Sequence, residues 1–384
     1  MSRRRVAIVL TTRGNYAKTK STMRAIRDSA SLELATIVGG GIVQSRFGDY
    51  RPAIEADGFR IDATVDFLVE EGATLTAQTA SAARATALVG EALARLQPDS
   101  VLVIADRYEA LSIALAATCM NVPIAHLEGG EVSGSIDERI RHAITKLAHL
   151  HLPANEEAAR RIERMGEDRG RIVVVGTPSL DLLAAVDLAD RSPLMRAGGG
   201  SGDAIDFAGD YLVVSQHPVP TEADSAEKQI SETAAAIASL AMPTVWILPN
   251  MDAGGDGVAR ALADLRTRGI GAPLRFYPSL SLEPYAVLLR NARCLVGNSS
   301  SGIREGAFLG VPAVNLGSRQ HGRQRGRNVV DVASDRGAIA AAIRGQIAHG
   351  PYASDPVYGD GRSGARIAAA LATMPLGLEK TITY

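Results

Sequence analysis

HLEGGEVSGSIDERIRHAITKLAH, His126 to His149, joins the end of an apolar segment to the start of a helix. Upstream, NVPIA is a short apolar run, and after His126 and Glu128 the chain meets two glycines. Ser135 with Glu138 three residues on reads as a capping box, in which the serine oxygen accepts a first-turn N–H and the glutamate reaches back. Ile136, Ile140, Ala143, Ile144 and Leu147 then recur at the spacing of one buried helical face, while Asp137 and Arg141 fall at i, i+4 on another. Taken alone, that pair is an ordinary solvated ion pair. In context, Glu128, Glu131 and Asp137 gather between a strand end and a helix start, where open α/β sheets bind their ligands.

The same alternation of strand, loop and helix runs outward in both directions. Arg5 to Thr11 is a β-branched strand leading through Arg13 and Asn15 into an amphipathic helix. Leu34 to Val38 is a second strand, and Gly39 to Gly41 after it lack the spacing of a dinucleotide fingerprint, so they read as a turn. Ala77 to Leu96 is a long alanine-rich helix. Val101 to Ala105 is a continuous apolar strand, followed at once by Asp106, which either joins Glu128 on the rim or caps the helix Ala110 to Cys119. Leu150 to Leu152 and Ile172 to Val175 are further strands, with a basic helix, Glu156 to Met165, between them.

At Ala197 to Asp203, AGGGSGD has no periodicity and reads as a linker or a disordered surface loop. A second series follows it: strands at Tyr211 to Ser215, Val245 to Leu248, Arg275 to Tyr277, Cys294 to Gly297 and Val311 to Leu316, each read as ending in polar residues. The most pointed of these ends is GNSSSGIREGAF. Ser299, Ser300, Ser301 and Gly302 would sit at a helix N-terminus, where unpaired N–H groups and the helix dipole favour a phosphate; ordinary serine capping needs only one serine. Glu305, one turn inside, could accept from ribose hydroxyls. Arg319, Arg323 and Arg325 lie in a glycine-broken loop, and Arg319 is the one assigned to phosphate.

The totals fit two domains, expected at 1–183 and 184–384 with the last helix packing back on the first domain. With 41 Lys and Arg against 42 Asp and Glu, no global field recruits nucleic acid or an acidic membrane. Val6 to Leu10 is too short for a signal peptide core, and no stretch approaches the roughly 18 apolar residues of a membrane span, so a soluble cytoplasmic protein is expected. Cys119 and Cys294 fit no metal or redox spacing and read as buried thiols. The HLH of His149 and His151 lacks a third ligand at recognisable spacing, so no metal is assigned.

The central stretch closely resembles the core motif of the hydrolysing UDP-N-acetylglucosamine 2-epimerases, comprising the bacterial sialic-acid-pathway enzymes and the epimerase domain of the bifunctional animal enzyme. TTRGNYAK, ADRYEAL, QHPVPTE, PNMDAGGD and GNSSSGIREGAF follow in that family's order, so the likeness spans most of the chain. It implies two doubly wound Rossmann-like α/β domains of glycosyltransferase-B-like architecture, with the active site in the cleft between them. Catalytic positions carried over are Asp106, Glu128, Asp137, Arg141 and His142. Substrate-binding positions are Arg13, Glu131, His217, Asn250, Asp252, Ser299, Ser300, Ser301, Gly302, Glu305 and Arg319.

What the resemblance implies chemically is loss of the sugar C2 proton as UDP leaves C1, followed by addition of water to give a free N-acetylmannosamine-type sugar, with no redox cofactor. The partners implied are a UDP-sugar and further copies of the chain, as a homodimer or homotetramer. HLEGGE favours the hydrolysing type, because non-hydrolysing relatives carry an HVEAG-like stretch there. Alternatives are a non-hydrolysing epimerase returning UDP-N-acetylmannosamine, a glycosyltransferase of the same fold, and a non-catalytic sugar-nucleotide sensor. TTRGNYAK departs from the family's GTRADYGK, and Ala105 replaces a common glycine, which leaves a 2,4-diacetamido-trideoxy sugar, another amino-sugar intermediate of a specialised pathway, or a sugar on a different nucleoside open as substrate.

Overall fold

A computed structural model describes residues 3–45, 48–69, 74–104, 107–133, 136–249 and 255–383, and divides the chain into two compact units, Met1–Leu182 with Gly359–Tyr384, and Leu183–Tyr358. The strands of the first unit are β1 (Arg4–Leu10), β2 (Leu32–Gly39), β3 (Ala63–Val65), β4 (Ser100–Ile104), β5 (Ile124–Leu127) and β6 (Leu150–Leu152). They form one parallel sheet in the order β3-β2-β1-β4-β5-β6. Its helices are α1 (Arg13–Arg27), α2 (Arg51–Ala56), α3 (Leu75–Leu96), α4 (Tyr108–Cys119), α5 (Ile136–Leu147) and α6 (Glu156–Arg164); α7 (Ser179–Ala184) spans the division.

Strand alternation divides the core of this unit in two. Val6, Ile8 and Leu10 of β1 pack with Met23 and Ile26 of α1 and with Ile367 and Leu371 near the C-terminus. Ala7 and Val9 face the other way, onto Val89 and Leu93 of α3 and Ile113 of α4. Both faces are covered, which is why the strands read as unbroken apolar runs. Strand order reverses between β1 and β4, and there the loops after the two strands diverge.

The second unit begins with α8 (Ser192–Met195) and holds β7 (Ser201–Gly202), β8 (Leu212–Ser215), α9 (Ala226–Leu240), β9 (Thr244–Ile247), α10 (Gly255–Arg268), β10 (Leu274–Tyr277), α11 (Leu282–Asn291), β11 (Cys294–Gly297), α12 (Glu305–Leu309), β12 (Ala313–Leu316), β13 (Val329–Val332) and α13 (Arg336–His349). Its sheet runs β13-β12-β11-β8-β9-β10-β7, parallel except for β7, and reverses between β8 and β11. The last helix, α14 (Ser363–Thr373), lies in the first unit against α1; Asp181 accepts the N–H groups of Ser363 and Gly364 at 2.8 and 2.6 Å. No helix among the described residues is long and apolar enough to cross a membrane.

Four expectations are corrected. AGGGSGD is not a plain linker: Ser201 and Gly202 pair antiparallel with Phe276 and Arg275, and at Gly202, with φ of 93°, a Cβ would lie 2.4 Å from the Leu274 carbonyl oxygen. Ile172 to Val175 is no strand but a single bridge to His151; the run leans on the carbonyls of His151 and Pro153, and a proline has no N–H to return. Cys119 is exposed at the end of α4, whereas Cys294 is buried and its thiol is pushed well above the usual range by that burial. Ala143 is exposed, and the buried face of α5 is rotated to include Arg141, Ile144 and Thr145.

His149 and His151 fasten the C-terminal tail to this unit. His149 Nδ1 accepts the Ile124 N–H at 3.2 Å while its Nε2 faces the Leu378 carbonyl at 3.3 Å, and burial holds its pKa down. His151 Nε2 lies 3.0 Å from Glu167, which also receives Lys146 and Lys380 at 2.6 Å each; Lys380 donates as well to the Thr145 carbonyl near the end of α5. Burial acts to raise the Glu167 pKa, but the His151, Lys146 and Lys380 donors override it and bring it to about 2 from 4.5. A carboxylate depressed on folding contributes stability above its unfolded pKa, and that stability is lost as pH falls through the folded value. Glu167→Gln should therefore lower unfolding free energy by about 2 kcal/mol at pH 7, with the deficit shrinking toward pH 3 in urea titrations.

Candidate active site

β5 delivers HLEGGE to the sheet rim. The Glu128 N–H still bonds the Leu152 carbonyl at 3.1 Å, so the ladder continues one residue past the strand before the chain turns. Glu128 then takes φ of 62°, a left-handed conformation uncommon for a side chain of this size, and is only 5% exposed. The glycines permit this turn. A Cβ on Gly129 would meet His126 Nδ1 at 2.9 Å, and one on Gly130, whose φ is 76°, would lie 2.3 Å from the Ala158 carbonyl oxygen of α6.

The strained loop is clamped from several sides, as such conformations require. Arg141 is 2% exposed and donates to the Glu131 carbonyl at 2.6 Å and to Ser133 Oγ at 3.2 Å. Asn155 donates to the Glu131 carboxylate at 3.0 Å while accepting the Ala158 N–H that starts α6. Arg161 adds a bond to the Gly130 carbonyl. Arg141 therefore does not stand on an outward charged face, as its i, i+4 spacing to Asp137 suggested; it turns in, because the loop carbonyls need a donor. Glu131, 2% exposed, is likewise part of the clamp.

Against the buried Glu128 stands Lys18 of α1, its ammonium 3.2 Å from the carboxylate. This pairing was not picked out in the sequence, although Lys18 closes the TTRGNYAK motif. Ser135 and Asp106 fall outside the described residues. Glu138 does reach back, but to the Ser133 N–H at 2.7 Å, and its other oxygen lies 3.5 Å from His142 Nε2. Asp137 and Glu138 occupy the first turn of α5, where the helix dipole favours negative charge. Asp137 also acts on Arg107, whose guanidinium, despite the lowering effect of desolvation, has its pKa raised by Glu109 first and Asp137 in part.

Between the ends of β1 and β4 lies a cavity of about 750 Å³, with Arg13, Leu68, Val69, Ser81, Arg107 and Glu109 on its walls. Arg13 is exposed, contacts the Gly48 carbonyl at 3.4 Å and lies over the Tyr50 ring. Arg107 grips Glu109 through two bonds of 3.2 and 3.3 Å. Burial and then Glu109 push the Tyr108 phenol up to about 12, so it stays protonated.

In the second unit Asn298 ties the two loops at the β8/β11 reversal: its Oδ1 accepts the His217 N–H at 2.7 Å and its Nδ2 donates to the His217 carbonyl at 2.8 Å. The Asn298 carbonyl in turn receives Arg319 at 3.1 Å and Gln320 at 2.8 Å, drawing the Arg319 loop to the same point. The serines do not begin an α-helix, which corrects the sequence reading. Ser299 caps a 3-10 turn, Ser300–Gly302, by accepting the Ser301 N–H, and Glu305 opens α12 rather than sitting a turn inside it. The tight turn follows from Gly297, where the chain crosses close to Ser215. The Tyr285 phenol, raised by burial, bonds Ser301 and feels Glu305. Arg325 folds back onto Asp331 at 2.9 Å. Asn250 and Asp252 lie outside the described residues. Among the described residues no group of three or more His, Cys, Asp or Glu could hold a metal ion.

Two sheets, parallel but for β7, each reversing its strand order beside a rim of polar residues, are the doubly wound α/β architecture of glycosyltransferase-B-like enzymes. The chain belongs to the UDP-N-acetylglucosamine 2-epimerase family, whose model matches residues 24–372. It is 32% identical over 378 residues, 97% of each chain, to a Legionella pneumophila protein named UDP-N,N'-diacetylbacillosamine 2-epimerase (hydrolyzing). It is 29% identical over 358 residues, 93% of this chain and 91% of the other, to the UDP-N-acetylglucosamine 2-epimerase of Neisseria meningitidis serogroup B. In fold it is similar to a crystal structure of the N. meningitidis UDP-GlcNAc 2-epimerase bound to UDP-GlcNAc, with a TM-score of 0.75 at 15% identity over 96% of this chain and 99% of that one.

Proposed function

We propose that the protein is a hydrolysing 2-epimerase that converts a UDP-N-acetylglucosamine-type sugar nucleotide and water to UDP and a free N-acetylmannosamine-type sugar. The observation that carries this reading is Glu128: a buried carboxylate held in a left-handed turn at a strand end, with the Lys18 ammonium in reach. A weakly acidic C2 proton needs a base whose position is fixed in advance, and a clamped loop supplies that. The name of the Legionella relative supports the hydrolysing type.

In the proposed course a carboxylate removes the C2 proton while the C1–O bond breaks, and UDP departs with the electron pair. The product is a glycal. Water then adds its hydroxyl to C1 and a proton returns to C2 on the opposite face. Asp106, Glu128 and Asp137 share these transfers, His142, 3.5 Å from Glu138, assists them, and Arg141 acts by positioning the loop. His217, Asn250, Asp252, Ser299, Ser300, Ser301, Gly302, Glu305 and Arg319 take the nucleotide, where backbone N–H groups and Arg319 offset the charge on the leaving diphosphate. Arg13 and Glu131 lie toward the sugar, Glu131 through its hold on the Glu128 loop. The protein works in the cytoplasm as a homo-oligomer.

The class is tested by incubating the protein with UDP-N-acetylglucosamine and quantifying UDP and free sugar separately. Equal amounts of both are expected; UDP-N-acetylmannosamine without free UDP would assign the non-hydrolysing type instead. Lys18→Met tests the site. It leaves the buried carboxylate without this cation, so kcat should fall about tenfold to a hundredfold, with a loss of roughly 1–3 kcal/mol in urea unfolding. Unchanged kcat would separate Lys18 from the reaction.

A further inference from the structure

We infer that Lys380, in the C-terminal tail, is a positioning residue for the reaction: it holds the C-terminal end of α5, and through α5 the turn that carries Glu128. The inference rests on the 2-epimerase reading and deepens it, since it extends the support of the site to a residue 235 positions from Thr145, the α5 residue it holds.

Residues 375–383 belong to the first unit, and Lys380 is the only one of them that is not exposed. Its ammonium has three protons to give, and three acceptors surround it. They are the Thr145 carbonyl at 3.0 Å, the Ala148 carbonyl at 2.5 Å and the Glu167 carboxylate at 2.6 Å. Thr145 and Ala148 are fully buried, so water does not reach these carbonyls at the end of α5, where the helix dipole also favours a cation. The tail backbone adds two holds: the Leu378 carbonyl faces His149, and the Thr383 N–H bonds the Gly166 carbonyl at 3.2 Å.

α5 carries the effect of the ammonium to the site. Thr145 Oγ lies 3.2 Å from His126 Nδ1 and donates to the Arg141 carbonyl at 3.1 Å. A Cβ on Gly129 would lie 3.2 Å from the same Oγ, so the residue after Glu128 packs directly on Thr145. One turn earlier in α5, Arg141 holds the Glu131 carbonyl. Both supports of the turn thus stand on the half of α5 whose end Lys380 fixes. Without the ammonium, two buried carbonyls lose a donor, and the last turn of α5 frays or shifts beneath Gly129. A displacement of well under 1 Å is enough to misplace a base.

The test uses the full chain with Lys380→Met, which keeps the length of the stem and leaves Glu167 paired with His151 and Lys146. In UDP release from UDP-N-acetylglucosamine its kcat should fall about tenfold to a hundredfold, while calorimetry gives the wild-type Kd for UDP. Amide hydrogen exchange over 124–133 and 136–148 should quicken about tenfold. In Lys380→Ala, propylammonium supplies the missing stem and charge and should restore both kcat and protection; tetramethylammonium, which has no N–H, should restore neither. Glu379→Ala, an exposed neighbour in the tail, should match the wild type. A Lys380 that serves only global stability would leave kcat unmoved at temperatures where the variant is folded. Unchanged kcat in Lys380→Met overturns the inference, as does lost activity with unchanged exchange over 124–133, or lost activity that propylammonium does not restore. No UDP release and no exchange at C2 in the wild type overturns the 2-epimerase reading instead; the amide exchange rates, which need no substrate, then decide the link from Lys380 to the Glu128 turn on their own.

Discussion

Glu128→Gln should lower turnover by about 10²–10⁴-fold while UDP binds as before. The substitution keeps the size of the side chain and the demand of the left-handed turn, so the loop need not move. Lys18 loses its partner but is 37% exposed and can be rehydrated. What is removed is the capacity to take a proton. Nucleotide contacts are assigned to the other unit, so calorimetry with UDP should give an unchanged Kd. A variant with near-normal turnover would show that Glu128 is buried for structure alone; one that also loses UDP binding would point to a fold defect.

Gly130→Ala should be the most damaging small substitution in the loop. A left-handed alanine costs about 1 kcal/mol. The added Cβ would also sit 2.3 Å from the Ala158 carbonyl oxygen, so either the loop or the start of α6 must shift, at about 1–3 kcal/mol more. Together these predict a fall in Tm of roughly 5–15 °C for a unit of this size. Activity should fall further than stability, since the same shift moves Glu128. Gly90→Ala in α3, where nothing lies within 4 Å of the new Cβ, is the matched control and should stabilise by about 0.5–1 kcal/mol.

Much of the fold was legible because the strands of the first sheet other than β3, whose Thr64 is exposed and which the sequence did not announce, are covered on both faces and read as apolar runs. The elements that escaped are those without a periodic signal. β7 is two residues long and held by a glycine packed on Leu274, and β13 exposes Val330 and Asp331 between its ends. The site was legible in part. HLEGGE announces a strand end, a carboxylate and two glycines, and all three lie at the rim. Arg141 defied its spacing because a helical arginine defaults to solvent, and only the folded loop presents the carbonyl of Glu131 to it. Lys18 is 110 residues from Glu128, a separation that no local pattern spans. The serine turn was mistaken for a helix start because capping residues look alike before a 3-10 turn and an α-helix.

The central claim is C2 deprotonation coupled to loss of UDP, and solvent isotope reports on it directly. The measurement is incubation with the UDP-sugar in deuterated water, followed by proton NMR of the sugar and separate assay of UDP. The account predicts a free sugar of inverted C2 configuration, fully deuterated at C2, in amounts equal to UDP. Free sugar that retains its C2 proton would contradict it.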